Sequence, residues 1–281
     1  MSPAFLAIGH FCQDVTPNGY TIGGGAAYST IAARNLGLET YAVTSVAKDF
    51  NRQTPILDQI NVTYHDSMET TVFDNQYDEH GKRHQMILGI GDKLQPNHIP
   101  TELQNIGIVY LCPIANEVDP ELVHCFKNSL IGVTPQGWMR QWDSSRQVRP
   151  KRWDMAEIIL AHTDILVLSD EDILANPKDL DMYIQWAKIV VLTKGKNGAT
   201  LYENGQIIES PAYSVKEVDP TGAGDVFAAA FLINYYETGS SVSALNFAHC
   251  VASFAVEGKG LTNIPMLEQV KNRIYLQRTQ R

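Results

Sequence analysis

Val218-Asp219-Pro220-Thr221-Gly222-Ala223-Gly224-Asp225-Val226-Phe227-Ala228-Ala229-Ala230-Phe231 decides how the rest of the chain is read. Glycines at 222 and 224 stand directly before a long apolar segment, where they permit a sharp turn and leave consecutive backbone N–H groups unobstructed at a helix start. Such a start attracts phosphate. The segment that follows, Ala223 to Tyr236, is Ala- and Phe-rich around most of its circumference, as expected of a central helix buried on all sides. Asp225 falls in its first turn, where a carboxylate gains roughly 0.3–1 kcal/mol from the helix dipole whatever else it does.

Upstream, apolar β-rich runs at Phe5–Ile8, Tyr41–Val46, Ile108–Cys112, Ile131–Val133, Ile165–Leu168 and Ile189–Leu192 are spaced widely enough for crossover helices. Near-continuous apolar strands of this kind suit a mainly parallel sheet covered on both faces. Asn204-Gly205 marks a hairpin between Thr200–Glu203 and Gln206–Glu209, and Val242–Glu257 and Met266–Gln277 continue the helical C-terminal part. Between Val62 and Leu88 the pattern turns polar and alternating around Glu79-His80-Gly81-Lys82, which reads as a hairpin outside the main sheet. With Val15–Ile22 it predicts a small β lid over the strand ends. Trp138 to Trp153 has no period and reads as a surface loop. The expected architecture is one α/β domain spanning residues 1–281, with lid segments at about 15–22 and 62–89.

With 44% hydrophobic residues the chain can bury an ordinary core. Lys plus Arg number 22 against 31 Asp plus Glu, a net charge of −9, which argues against nucleic acid as a partner. An anionic small molecule then needs local donors or a metal ion. The longest apolar run, Val226–Ile233, falls far short of the roughly 18–20 residues that cross a bilayer, and the N-terminus carries no secretory pattern. Cys12, Cys112, Cys125 and Cys250 are scattered, as in a protein of the reducing cytoplasm. No Gly-Lys is followed by Ser or Thr, so a Walker A loop is absent. A dinucleotide fingerprint fails as well, because Phe227, and Tyr28 after Gly23-Gly24-Gly25, fill the slot of its third small residue.

Asp219 to Phe231 resembles the C-terminal signature of the ribokinase-like (PfkB) carbohydrate kinases. Gly23–Gly37 is similar to that family's early Gly-Gly segment, Val43–Asp49 to the strand and turn after it, and Thr193-Lys194-Gly195-Lys196-Asn197-Gly198 to its nucleotide loop. The resemblance implies ATP-dependent phosphorylation of a hydroxyl on a sugar, polyol or nucleoside. Asp225 would then be the base, with Gly222, Ala223 and Gly224 forming an anion hole beside it. A helix start lowers a carboxylate's pKa, so Asp225 is expected chiefly to orient the nucleophile. Asp14, Gly24, Gly25 and Tyr28 match acceptor positions, with Arg140 a further candidate suited to an acidic sugar. Thr193, Lys194, Gly195, Gly198, Thr221 and His249 match the nucleotide side. Mg2+ would be met through water by Ser169 and Asp172, and a monovalent cation would lie near Asp219. A homodimer through the lid completes the expectation.

Four positions depart from the family pattern. Tyr28 stands where Asn is frequent, Ser169 and Asp172 stand in place of Asn and Glu, and His249 replaces an Asn bordering the adenine pocket. These departures motivate the alternative of a catalytically impaired regulatory or nucleotide- or sugar-binding protein of the same fold.

Overall fold

The computed structural model describes residues 3–77 and 83–279. In chain order the elements are β1 (Ala4–Ile8), β2 (Cys12–Thr16), β3 (Gly19–Gly23), α1 (Gly25–Asn35), β4 (Glu39–Ala47), β5 (Asn61–Ser67), β6 (Thr71–Tyr77), β7 (Arg83–Gly89), β8 (Ile108–Leu111) and β9 (Leu130–Val133). There follow β10 (Arg140–Gln141), β11 (Arg149–Pro150), α2 (Ala156–Leu160), β12 (Ile165–Ser169), α3 (Asp170–Ile173), α4 (Asp179–Trp186) and β13 (Ile189–Thr193). The chain closes with β14 (Ala199–Glu203), β15 (Gln206–Ser210), α5 (Ala223–Thr238), α6 (Ser241–Ala255) and α7 (Leu267–Thr279).

The main sheet runs β15-β14-β13-β12-β9-β8-β1-β4-β5 and is parallel from β13 to β5, with β14 and β15 antiparallel at one edge. Its interior strands are buried on both faces, which is why they read as unbroken apolar runs. One face packs α1, α5 and α6 around Phe5, Ala7, Tyr110, Val167 and Val191; the other packs α2 and α4 with Leu6, Val109, Leu166 and Val190. From β1 the chain builds outward in both directions, to β4 on one side and β8 on the other. That reversal of strand order is where an α/β sheet opens a crevice at its carboxyl ends.

Helix α5 is buried from Val226 to Ile233 and lies close on the sheet. Gly132 of β9 shows how close: a Cβ there would come within 2.4 Å of the Leu232 side chain, so that leucine occupies the space a larger residue would need.

The lid is a second sheet in the order β3-β2-β6-β7. Phe73 and Ile87 are buried beneath it against Cys12, Ile114 and Ala115, with Trp142 and Val148 packed alongside. The second segment of the lid therefore starts at β6, residue 71, and the expected segment from residue 62 requires correction. Residues 61–67 form β5, paired in parallel to β4 at the edge of the main sheet. An edge strand buries one face only, so Val62 and Tyr64 alternate with polar neighbours and imitate a lid strand. The turn Glu79–Lys82 lies outside the described residues.

The segment from Trp138 to Trp153 also departs from its reading as a surface loop. Trp138 and Trp153 are buried and stacked at 5.4 Å, and the main chain at 146–148 bonds to β7 through Ile87 N–H to the Arg146 carbonyl and Val148 N–H to the Gln85 carbonyl, both 2.9 Å. Lid and sheet meet at His10. Its Nε2 donates to the Asp92 carbonyl (2.9 Å) and its Nδ1 accepts from the Thr71 hydroxyl (2.7 Å), which accepts in turn from Gly91 N–H (3.0 Å). Among the described residues no helix is long and apolar enough to cross a membrane.

Candidate active site

The carboxyl ends of β1, β8, β9 and β12 and the starts of α1 and α5 converge under the lid. Gly222 opens α5 in the left-handed conformation, φ 75°, and a Cβ there would stand 2.2 Å from the Tyr28 ring. Both facts demand glycine. Tyr28 is buried against this turn, so it shapes the loop that opens α5. The Ala223 N–H is taken by the Pro220 carbonyl (3.2 Å), and helical bonding begins with Val226 N–H to the Gly222 carbonyl (3.0 Å). The N–H groups of Gly224 and Asp225 precede that first bond, and nothing lies within 4 Å of where a Cβ on Gly224 would project.

Asp225 is half-buried, with Oδ1 accepting from the Tyr110 O–H at 2.9 Å and resting over Gly25, where a Cβ would come within 2.6 Å of it. Desolvation pushes its pKa up to about 6, while the Tyr110 bond and the Arg140 cation pull downward and Asp172 adds a smaller upward push. The lowering expected from the helix start is thus reversed, because loss of water around the carboxyl outweighs the dipole.

Asp14, on β2, lies beside Gly23 ahead of α1, and its charge, like that of Asp225, acts on Tyr28. Its Oδ2 lies where a Cβ on Gly23 would project, and its Oδ1 accepts from Asn75 of β6 (3.3 Å), which accepts from Gln85 of β7 (2.8 Å). Gly24, φ 95°, lets the chain pass the His10 carbonyl, 2.2 Å from the position of its missing Cβ. Arg140, half-buried on β10, donates to the Ile114 carbonyl (3.2 Å), lies over the Phe73 ring at 5.8 Å and acts electrostatically on Asp225 and Cys12. These residues form one cluster with Asp225.

The residues expected to form a nucleotide loop lie further along the sheet, at the end of β13 and after it. Lys194 N–H bonds the Gly198 carbonyl (2.7 Å), the Thr193 hydroxyl donates to the Leu168 carbonyl (3.2 Å), and Lys194 Nζ lies 3.5 Å from Glu209. Gly198, φ 90°, abuts the Ser210 carbonyl; Gly195, φ 52°, is exposed. Thr221 N–H bonds Asp219 Oδ1 (3.0 Å), and Asp219 Oδ2 accepts from Gly260 N–H (3.3 Å), so both oxygens are engaged in anchoring the loop. His249 is buried on α6, edge-on to Phe227 at 5.2 Å. Burial lowers its pKa to about 4, and Nε2 has no hydrogen-bond partner among the described residues.

Ser169 and Asp172 form a reciprocal cap on α3: Ser169 N–H and Oγ–H both donate to Asp172 Oδ2 (2.8 Å), and Asp172 N–H donates to Ser169 Oγ (3.2 Å). No group of three or more His, Cys, Asp or Glu among the described residues could hold a metal ion unaided.

Three further residues carry no sequence signal. Tyr110 and Thr134 join at 2.8 Å below Asp225; Glu117, fully buried, accepts from the N–H groups of His10 (3.0 Å), Ile114 (3.0 Å) and Ala115 (2.7 Å). Each is an ordinary residue type, Tyr110 from β8, Thr134 from just past β9 and Glu117 from the loop after β8, so no local spacing marks it.

The chain has relatives among known proteins, in sequence and in fold. The chain is 26% identical over 275 residues to a nucleoside kinase of Methanocaldococcus jannaschii, spanning 90% of this chain and 85% of that protein. It is 24% identical over 297 residues to an inositol 3-kinase of Arabidopsis thaliana, spanning 98% and 80%. In fold it is similar, at a TM-score of 0.79 and 22% identity over 95% of this chain and 99% of the other, to a pyrophosphate-dependent kinase in the ribokinase family solved with a pyrophosphate analog and myo-inositol. Residues 14–268, which hold most of the lid, both glycine turns and the carboxyl at 225, match the pfkB family carbohydrate kinases, and the chain belongs to that family.

Proposed function

We propose that this kinase transfers the γ-phosphoryl group of ATP to a hydroxyl of a neutral, polyhydroxylated ring, with Asp225 as the base. The observation that carries the reading is the Asp225 carboxyl, raised to about 6 at the mouth of a glycine-opened helix. A carboxylate of that basicity is ionised at neutral pH and better matched to an alcohol proton than an ordinary aspartate. Gly224 and Asp225 N–H groups would face the oxygens of the phosphoryl group in flight, as suits a transition state stabilised by positioned dipoles. Tyr28 holds that turn in place. Asp14, steadied by Asn75 and Gln85, would accept from the acceptor's other hydroxyls.

Charge favours a neutral acceptor. Asp14, Glu117 and Asp225 all raise the Cys12 thiol and only Arg140 opposes them, so this end of the cleft is net negative and repels an acidic sugar. The nucleoside kinase and inositol 3-kinase relatives are named for acceptors of the neutral, hydroxyl-rich kind. On the donor side, Thr193, Lys194, Gly195 and Gly198 would line the nucleotide, Thr221 its phosphates, and His249 the base, its unpartnered Nε2 being a buried polar atom suited to one. Mg2+, when bound, neutralises charge on the phosphates; Asp172, whose field reaches Asp225, would meet it through water. A monovalent cation beside Asp219 rests on the family resemblance alone; each oxygen of that carboxylate accepts one N–H bond from the loop around it.

The test is ADP release by the purified protein with Mg-ATP against myo-inositol, cytidine, ribose and 2-keto-3-deoxygluconate, with 31P NMR of the product. Turnover with a neutral ring is expected. Phosphate transfer only from pyrophosphate would overturn the donor assignment, turnover confined to the acidic sugar would overturn the acceptor class, and ATP binding without turnover on any acceptor would favour the regulatory alternative.

A further inference from the structure

Tyr110 is the last-but-one residue of β8 and is fully buried, yet its hydroxyl ends beneath the site. Its one proton is committed to Asp225 Oδ1 at 2.9 Å, so the contact to Thr134 at 2.8 Å must be a bond that Thr134 donates. Burial and the neighbouring carboxylate hold the phenol protonated, well above its ordinary range, so it stays a donor at every pH the protein meets. The chain Thr134 to Tyr110 to Asp225 thus has a fixed direction, from β9 through β8 to the start of α5. The missing side chain of Gly25 makes room for the same Oδ1, which would lie 2.6 Å from a Cβ there.

We propose that Tyr110, backed by Thr134, is the positioning residue for the carboxylate at 225: it pins Oδ1 and leaves Oδ2 directed at the acceptor hydroxyl. The inference rests on the reading of Asp225 as the base, and extends it to a residue that does not touch substrate. The ionisable or charged groups that face Asp225 are Tyr28 from α1, Cys12 from β2, Tyr110 from β8, Cys112 just beyond it, Arg140 from β10 and Asp172 from α3. The four tyrosine and cysteine groups are raised by burial and stay neutral, so Tyr110 is set apart by its hydrogen bond. A donor to a carboxylate favours its ionised form, and its removal raises the carboxyl's pKa by about one unit.

Tyr110→Phe removes the hydroxyl and keeps the ring. The first readout needs no acceptor: the melting temperature of the full chain is followed from pH 4 to 9 for Tyr110→Phe and the wild type, each with and without Asp225→Asn. The pH at which the residue-225 contribution turns over reports that carboxyl's titration, and Tyr110→Phe should move it upward by about one unit. With myo-inositol or cytidine, whichever is turned over, the acid limb of kcat should move by the same amount and kcat should fall roughly tenfold or more, with the KM for ATP unchanged. Thr134→Val should shift both in the same direction by less, and carries the test if Tyr110→Phe does not fold. A uniform drop in melting temperature with an unmoved titration and acid limb would reduce Tyr110 to a packing residue and overturn the proposal. Full activity in Asp225→Asn would instead overturn the base assignment, a result the melting series cannot mimic.

Discussion

At the scale of one residue, Asp225, as the proposed base, would set stability against chemistry. Its folded-state pKa lies above the ordinary 3.8, so ionisation costs stability: the cost is complete above about pH 6 and disappears as pH falls toward 3.8. Asp225→Asn keeps an oxygen for Tyr110 and removes that cost. The mutant is expected to melt a few degrees above the wild type at pH 8, with the gain shrinking toward pH 5, while kcat falls by roughly 10² to 10⁴. Scanning calorimetry at the two pH values, paired with steady-state kinetics, checks both halves; an unchanged kcat would leave Asp225 a helix-start residue only. The glycines and the aspartate were legible because they are local to one turn. The direction of the pKa shift was not, since it depends on how much water the lid, Tyr28 and Tyr110 displace, and these come from four separate segments.

At the scale of an element, α3 is held by the Ser169–Asp172 cap and little else of its own, being four residues long. Asp172→Ala withdraws the acceptor from both Ser169 N–H and its hydroxyl, a loss of about 0.5–2 kcal/mol that should lower the melting temperature by a few degrees. If Asp172 also meets Mg2+ through water, the magnesium required for half-maximal rate should rise by roughly 10- to 100-fold. A shifted melt with an unshifted magnesium curve would confine the residue to capping. The interior strands were readable from their unbroken apolar runs. Strand β5 was not, because an edge strand alternates like a lid strand, and the burial of Trp138 and Trp153 was hidden because a ring stack in a loop has no period to detect.

At the scale of the whole molecule, the two faces of the main sheet bury large clusters, whereas the lid buries little beyond Phe73, Ile87 and their neighbours. Opening free energy follows such inequality. Backbone amides of β6 and β7 should exchange faster than those of β1, β8 and β12 in dilute apo protein, and slow when the acceptor binds. Slowing on concentration alone would instead mark a lid-to-lid dimer, for which the outer strand β3 offers Tyr20, 62% exposed. Equal protection of lid and sheet in every state would contradict a moving lid. Layer order and lid were both legible in outline, since each rests on strand periodicity; the His10 junction was not, since it joins residues 61 and 82 positions apart.

The fit of Leu232 into the space left by Gly132 works as a detent for α5. It indexes the helix along its own axis about two turns, or roughly 10 Å, below the carboxylate. An added methyl at 132 would meet the Leu232 side chain at 2.4 Å, so that either the leucine or the helix must give; where the helix gives, Asp225 moves with it, and a misplacement near 1 Å costs on the order of 10²-fold in rate. The tolerance of the chemistry is therefore machined into a spot that neither substrate nor solvent reaches, and wear there would be felt as lost turnover in a protein that still folds.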